Sequence, residues 1–408
     1  MNMNTTPSPD TLRFIRLHRT DDVHALALRA AQHPGIDLPF ALQQIAGWQA
    51  ARHKLPRWAA TEGIVYPPHL SLEQCSSEAT ALFKAEALGG GESMVDLTGG
   101  FGVDCSYLAR GFRQAAYVER DEALCELARH NFPLLGCPHV EVHRAEAEDY
   151  LREMAPADMI YLDPARRDSH GGRTVAIADC TPDVTRLLPQ LLLKGKRVCV
   201  KLSPMLDIAL ALRDLPAVDH VFVVSVQGEC KELLLLLSRS GVSGRAAFSC
   251  VNLAHGAASC FRFTADEERD AECRFTTEVR SFLYEPGASL LKAGAFRLPA
   301  ARYGLEKLHP NSHLYTSDTF VADFPGRAFA VDGVCTFGKK ELKALISPLE
   351  RANLTVRNFP SSVAELRKRL RLREGGDTYL FATTLADGRK VIVKCKKAPN
   401  SSLQTDRQ

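Results

Sequence analysis

The chain has no pair of cysteines at metal-binding spacing, although twelve are scattered along its 408 residues. It also lacks an H-E-x-x-H pattern, since His309 and His313 are separated by Pro310-Asn311-Ser312 and no acid accompanies them. Both absences argue against a zinc site, and no metal is expected. No apolar run approaches the roughly 18–20 residues a membrane span needs. Met1 to Asp10 is polar and proline-bearing, not a charged-then-apolar leader. A cytoplasmic protein with reduced thiols and no membrane contact is therefore expected. Net charge is scarce too: 51 basic against 48 acidic residues leave +3, too little to imply a partner by itself. Internal repeats and low-complexity tracts are missing.

What is present is the composition of an ordinary globular protein, 45% apolar and 24% charged. Its length allows two or three domains, each with its own core. The charge is unevenly spread. Between Arg351 and Lys397 twelve Lys/Arg outnumber the acids, so a basic terminal module sits on a mildly acidic body. Such a module suits a polyanion, and a merely solvated basic face is the alternative.

Residues 11–60 read as helical, with Val23, Leu26, Ala27 and Ala30, then Leu42, Ile45 and Ala46, at helix spacing. Pro34 and Pro39 are expected to break these segments, and Pro67-Pro68 to close the region. Ser76-Ser77-Glu78 predicts a capped helix running to Leu88 and ending in glycines. From there apolar runs alternate with helical patterns. Strands are expected around Val95, Tyr117, Val142, Ile160, Val200, Val224 and Leu235, and helices around Tyr107, Leu127, Leu151 and Leu188. Ser203-Pro204 looks like another helix start. This alternation predicts an α/β fold, a parallel sheet with helices on both faces. Past about residue 265 it stops: 275–325 reads as irregular, and 326–397 as a small α+β module ending in a hairpin across Asp387-Gly388. The expected organisation is an N-terminal helical region over 1–66, an α/β domain over 67–265, a connecting region over 266–325, an α+β domain over 326–397 and a flexible tail over 398–408.

Gly99-Gly100-Phe101-Gly102 follows a strand and opens a helix. Main-chain N–H groups there can meet a ligand at the carboxyl edge of a parallel sheet. Glycine permits either a tight turn or a close ligand approach, and the residues alone leave both open. The spacing is not the G-x-G-x-x-G of nicotinamide folds. Asp104, in the first helical turn, would repel pyrophosphate but suit a zwitterion with an ammonium group. The next strand ends in Tyr117-Val118-Glu119-Arg120-Asp121, whose carboxylate can accept both hydroxyls of a ribose. The third leads into Arg144-Ala145-Glu146, and the fourth into Tyr161-Leu162-Asp163-Pro164-Ala165-Arg166-Arg167. Successive strands thus end in acids at one edge.

From Glu73 to Ser238 these features resemble the class I S-adenosylmethionine-dependent methyltransferases, whose fold is a Rossmann-like sheet with helices on both faces. The resemblance implies S-adenosyl-L-methionine as cofactor. Asp96, Thr98, Gly99, Gly100 and Gly102 would hold its methionine and ribose side, together with Asp104. Glu119 and Arg120 would stand at the ribose, and Glu146 at the adenine amine. Asp163, shared between cofactor and chemistry, and Pro164 would open the D-P-P-aromatic catalytic motif. That motif holds a planar exocyclic amine through hydrogen-bond acceptors. Here Ala165-Arg166 replaces the second proline and the aromatic, so Arg166 would stack on a base or hold a phosphate. The stretch from Glu73 to Thr80 resembles the upstream motif that covers the methionine end in many nucleic-acid methyltransferases. No Pro-Cys pair marks a C5 nucleophile, and Cys105, Cys180 and Cys230 are expected to be structural thiols. Lys201-Leu202-Ser203-Pro204 and Glu229-Cys230-Lys231-Glu232 could border the cleft.

The C-terminal stretch Asn358 to Leu370, with Gly375-Gly376-Asp377, resembles the THUMP-like domain of a bacterial group of methyltransferases. Leu290 to Phe296 and His309-Pro310-Asn311-Ser312 extend that likeness over nearly the full chain. It implies structured RNA as partner, with Arg367, Lys368, Arg369, Arg371 and Arg373 following its phosphates. The order of loop and acids is also similar to enzymes methylating guanine N2. The function implied is methylation of a base of tRNA or rRNA. The alternatives are a methyltransferase of a protein or small molecule, and a non-catalytic RNA-binding protein with a relic cofactor site.

Overall fold

The computed structural model describes residues 7–29, 32–166, 176–239, 246–254, 256–347 and 349–398. Arg167 and the expected tail from 399 onward lie outside them. Two compact units form: residues 1–220 with 233–243, and residues 221–232 with 244–408.

The first unit opens with helices α1 (Pro9–His18), α2 (Val23–Leu28), α3 (Leu38–Lys54), α4 (Pro56–Ala60), α5 (His69–Gln74) and α6 (Glu78–Leu88). Pro39 does not break a helix but sits in the first turn of α3, where a missing N–H costs nothing, and Asp37 caps that turn by accepting from Phe40 N. Ser77 caps α6 as expected, accepting from Thr80 N at 3.3 Å. The alternating part comes next as β1 (Gly91–Asp96), α7 (Val103–Leu108), β2 (Phe112–Glu119), α8 (Glu122–Leu134), β3 (Val140–Arg144), α9 (Ala147–Glu153) and β4 (Ala157–Leu162). A short pair, β5 (Ala165–Arg166) and β6 (Cys180–Thr181), precedes α10 (Val184–Lys194), β7 (Gly195–Leu202), α11 (Ile208–Asp214), β8 (Val218–Val226) and β9 (Glu229–Leu237), of which β8 from Val221 and β9 up to Glu232 belong to the second unit. Ser203 does not start α11; Asp207 does, accepting from Leu210 N, while Ser203-Pro204 forms a turn before it. Aspartate and serine cap helices about equally well, so the sequence does not separate the two starts.

Within this unit the strands lie in the order β9-β7-β4-β1-β2-β3. β3, β2, β1, β4 and β7 are parallel, and β9 runs antiparallel to β7 with Val200 opposite Leu235. Parallel pairing puts the carboxyl ends of β1, β2 and β4 at one edge, with Asp96 opposite both Tyr117 and Tyr161. α1, α2 and α3 share one apolar cluster around Phe14, Leu26 and Ile45. A second cluster joins Leu55, Trp58 and Tyr66 to Phe101, Val103 and Tyr107, so the N-terminal helices pack directly against the glycine loop and α7.

The second unit contains the antiparallel pair β10 (Ala247–Ala254) and β11 (Ala257–Thr264), then α12 (Ala265–Asp270), β12 (Phe282–Pro286), α13 (Ala288–Ala293), α14 (Leu298–Tyr303), β13 (Glu306–Lys307) and β14 (Tyr315–Ser317). It continues as β15 (Gly326–Thr336), α15 (Lys339–Ile346), β16 (Asn353–Arg357), α16 (Val363–Leu370), β17 (Thr378–Thr384) and β18 (Lys390–Lys397). Seven strands form one sheet in the order β13-β14-β12-β15-β18-β17-β16. The stretch read as irregular therefore supplies an interior strand: Leu283 of β12 lies between Thr316 and Phe329 and is fully buried. Its apolar run is too short to show a period, and long-range pairing decides it. Among the described residues no helix is long and apolar enough to cross a membrane.

Candidate active site

The three loop glycines have different reasons. A Cβ on Gly99 would lie 2.2 Å from the Tyr117 ring, so that position is glycine for packing. Gly100 and Gly102 have φ of +54° and +85°, which side chains disfavour. At Gly100 a Cβ would meet nothing nearer than the Thr98 carbonyl oxygen at 3.9 Å, so the space beside its Cα is open, while its N–H donates to Glu119 and its carbonyl accepts from the Tyr117 hydroxyl. Phe101 turns the other way, its ring 4.6 Å from that of Trp58. The loop is thus anchored on one side and bare on the other.

Four acids surround it. Asp96 is buried and accepts from Thr98 N at 3.0 Å. Burial pushes its carboxyl up to about 8 despite that bond, and the charges of Asp104, Asp163 and Glu119 add to the rise. Glu119 accepts from Gly100 N through one oxygen and from Asp121 N through the other, each at 2.9 Å. Two main-chain donors therefore fix the plane of its carboxylate, and the second lone pair of each oxygen remains for hydroxyl donors. Asp163 donates its N–H to Thr98 Oγ1 at 2.6 Å, and its carboxylate pairs tightly with Lys201. Pro164 is buried beside it.

Asp104 already meets ammonium groups of the chain itself. It is buried between two ammoniums, Lys84 at 3.2 Å and Lys201 at 3.4 Å, and accepts from Ser76 Oγ at 2.8 Å and Tyr161 Oη at 2.7 Å. Burial alone would raise its carboxyl, but the two lysines, with Tyr161 and Ser76, outweigh that and hold it far below the usual range. Ser76 Oγ also receives Lys84 and Lys201, at 3.1 and 3.2 Å. Two lysines and two aspartates thus balance in one network spanning α6, α7, β4 and β7, with Ser76 of the upstream motif at its centre. Sequence reasoning misses Lys84. The available signal is its place with Ala81 and Leu88 on the buried stripe of α6.

The remaining expected residues are less gathered. Arg120 is exposed, and Glu146 is an exposed residue at the start of α9. It is nonetheless close in the chain to Ala145, whose N–H donates to the Glu119 carbonyl at 3.2 Å. Arg166 is in β5, its main chain opposite Cys180. Cys105 and Cys180 are buried and Cys230 is half-buried, its thiol pushed up to about 11 by burial. In the second unit the five basic residues diverge. Arg367 donates to Ala352 O at 3.4 Å, Arg369 lies 4.0 Å over the Phe337 ring, and Arg373 pairs with Glu350 at 3.0 Å. Lys368 and Arg371 are exposed on the helix end.

Residues 282–325 match a ferredoxin-like domain family and residues 326–397 a THUMP domain-like family. Proteins of two Mycobacterium tuberculosis strains, described as S-adenosylmethionine-dependent methyltransferases, are 28% identical over 323 residues, covering 78% of this chain and 84% of theirs. A crystal structure from Porphyromonas gingivalis W83, assigned as a methyltransferase, superposes with a TM-score of 0.87 at 37% identity, over 96% of this chain and 98% of that one. The chain belongs to the S-adenosylmethionine-dependent methyltransferases with a C-terminal THUMP-like domain. In this methyltransferase the cofactor is S-adenosyl-L-methionine, and the loop geometry fits it: Gly100 leaves open space beside an oriented Glu119 carboxylate. The resemblance read from Asp96, the glycines, Glu119 and Asp163-Pro164 identifies the same family.

Proposed function

We propose that this methyltransferase modifies a base of tRNA or rRNA, with the exocyclic N2 of guanine as the first acceptor to test. The observation that carries the chemistry is the tip of β4, where Asp163 and the Pro164 carbonyl are held beside the loop by Thr98. An aromatic amine shares its lone pair with the ring and is a poor nucleophile. Acceptors on its N–H groups localise that pair and orient it. Asp163 and the Pro164 carbonyl provide such acceptors, and the ammonium of Lys201 holds the Asp163 carboxylate in place. The cofactor supplies an electrophilic methyl group on a sulfonium centre. Asp96, Thr98 and the main chain of Gly99, Gly100 and Gly102 would seat its amino-acid end, Glu119 and Arg120 its ribose, and Glu146 its adenine. Asp104 would contribute through the lysines it holds, and Arg166 would face the substrate base or a phosphate next to it.

RNA as the substrate rests on the THUMP domain-like match over 326–397 and on the basic end of α16, where Arg367, Lys368, Arg369, Arg371 and Arg373 crowd a short span. Nucleoside mass spectrometry of total RNA, from cells with and without the gene, tests this. A base-methylated guanosine should vanish with the gene, and an unchanged nucleoside profile refutes RNA as substrate. Asp163→Ala should abolish transfer while leaving RNA binding intact; unaltered turnover would refute the role given to Asp163.

A further inference from the structure

Glu285, on β12, is only 4% exposed and carries two arginines. Arg327 of β15 donates to its Oε2 through Nε at 2.9 Å and through Nη2, and Arg357 of β16 donates to its Oε1 through Nε at 3.3 Å and Nη2 at 2.9 Å. Each guanidinium thus spends the same edge, Nε with Nη2, on the carboxylate. A guanidinium is planar with five N–H donors, so the opposite edge of each, built on Nη1, faces away from Glu285. Among the described residues no hydrogen bond leaves either Nη1. Both side chains keep solvent access, 41% for Arg327 and 32% for Arg357.

Burying a carboxylate under two guanidiniums is a poor way to gain stability, because apolar residues of similar size do as well or better. What the arrangement does provide is orientation: one surplus positive charge and two outward forks on a rigid base. The charge of Arg357 is also felt by a neighbouring imidazole. The half-buried ring of His313 stacks on Phe296 with centroids 3.7 Å apart, and its Nδ1 is buried without a hydrogen-bond partner among the described residues. Burial, with the charges of Lys307 and Arg357, holds its imidazole down to about 4. Glu285 lies in the segment matching the ferredoxin-like family, and both arginines lie in the THUMP-like segment, so the triad ties the two within the second unit.

We propose that Glu285, Arg327 and Arg357 form a phosphate-binding site in which the two outward guanidinium edges clasp the phosphodiester backbone of the RNA substrate. The site rests on the RNA reading above and is separate from the basic end of α16. Forked, charge-assisted donors suit phosphate oxygens, and such contacts position an RNA without reading its sequence.

The test is fluorescence anisotropy of the full-length protein with a labelled tRNA transcript, titrated across salt. Each phosphate contact contributes roughly 0.7–0.9 to the slope of log K against log salt. Replacing the triad with apolar residues (Glu285→Leu, Arg327→Met and Arg357→Met together) should keep the fold, lower the slope by about 1.4–1.8 and weaken binding about tenfold. Arg357→Gln, which leaves Glu285 paired one-to-one with Arg327, should lower the slope by about 0.7–0.9. Calorimetry with S-adenosylhomocysteine should be unchanged in both, which reports an intact first unit. Unchanged affinity and slope in a folded variant overturns the phosphate site and leaves the RNA reading standing. Absence of salt-dependent RNA binding by the parent protein overturns both.

Discussion

The buried network around Asp104 makes a sharp prediction for Lys84→Met. Methionine matches the length of the lysine stem and brings no charge. In the parent, Lys84 and Lys201 face Asp104 and Asp163, two charges against two. Without Lys84, a single ammonium must serve both carboxylates, and Lys84 itself is fully buried, so water does not replace it. Removing one partner of a buried pair costs about 3–5 kcal/mol, because the remaining charge keeps its desolvation penalty. For a unit of this size that lowers the melting temperature by roughly 6–20 °C. Urea unfolding followed by tryptophan fluorescence is the natural assay. Both tryptophans of the chain, Trp48 and Trp58, lie in α3 and α4 and report on the first unit alone. The companion variant Lys84→Met with Asp104→Leu removes both charges and leaves Lys201 paired with Asp163. It should recover most of the loss. A cost below about 1 kcal/mol for Lys84→Met alone, or a double variant no better than the single one, would show that the network is not charge-balanced as described.

Three further outcomes are expected. Asp96 is pushed up to about 8 in the folded chain, above its unfolded value near 3.9, so the native state keeps a proton that the unfolded state loses. Stability therefore falls as pH rises from about 4 to about 8, by up to about 1.4 kcal/mol per unit. Asp96→Asn removes this slope and should gain on the parent across that window; a pH-independent difference in urea midpoints contradicts it. Phe101→Ala empties a buried aromatic site against Trp58 and should destabilise the first unit by about 3–5 kcal/mol. It should also weaken S-adenosylhomocysteine binding measured by calorimetry, whereas unaltered affinity would mean that the loop holds its shape without the anchor. Glu119→Gln turns its new NH2 group toward a main-chain N–H, of Gly100 or of Asp121, and should raise the dissociation constant for S-adenosylhomocysteine at least about tenfold, about 1.4 kcal/mol. Retained affinity there removes Glu119 from the cofactor site.

Local signals were the legible ones. The cap at Ser77, the hairpin across Asp387-Gly388, and the alternation that builds the first sheet all arise from residues close in the chain. The same holds for the order of Asp96, Glu119 and Asp163 at one sheet edge. What escaped depends on partners far away. β12 is a strand because β14 and β15 flank it, and the β10 and β11 pair forms through mutual pairing of short mixed segments. Lys84 goes unnoticed in the sequence because its partner Asp104 lies twenty positions later and on another helix. Gly99 admits a turn or a ligand role in the sequence alike, and the packing reason for it comes from the distant Tyr117 ring.

The seat of Phe101 also decides where this enzyme can be cut. Trp58, Tyr66 and Leu55 share a core with Phe101, Val103 and Tyr107, so the limit drawn at residue 66 runs through a single oil-drop. A trimmed catalytic fragment that starts at β1 would bare those aromatics and lose the packing that anchors its own glycine loop. A minimal enzyme has to begin ahead of α3.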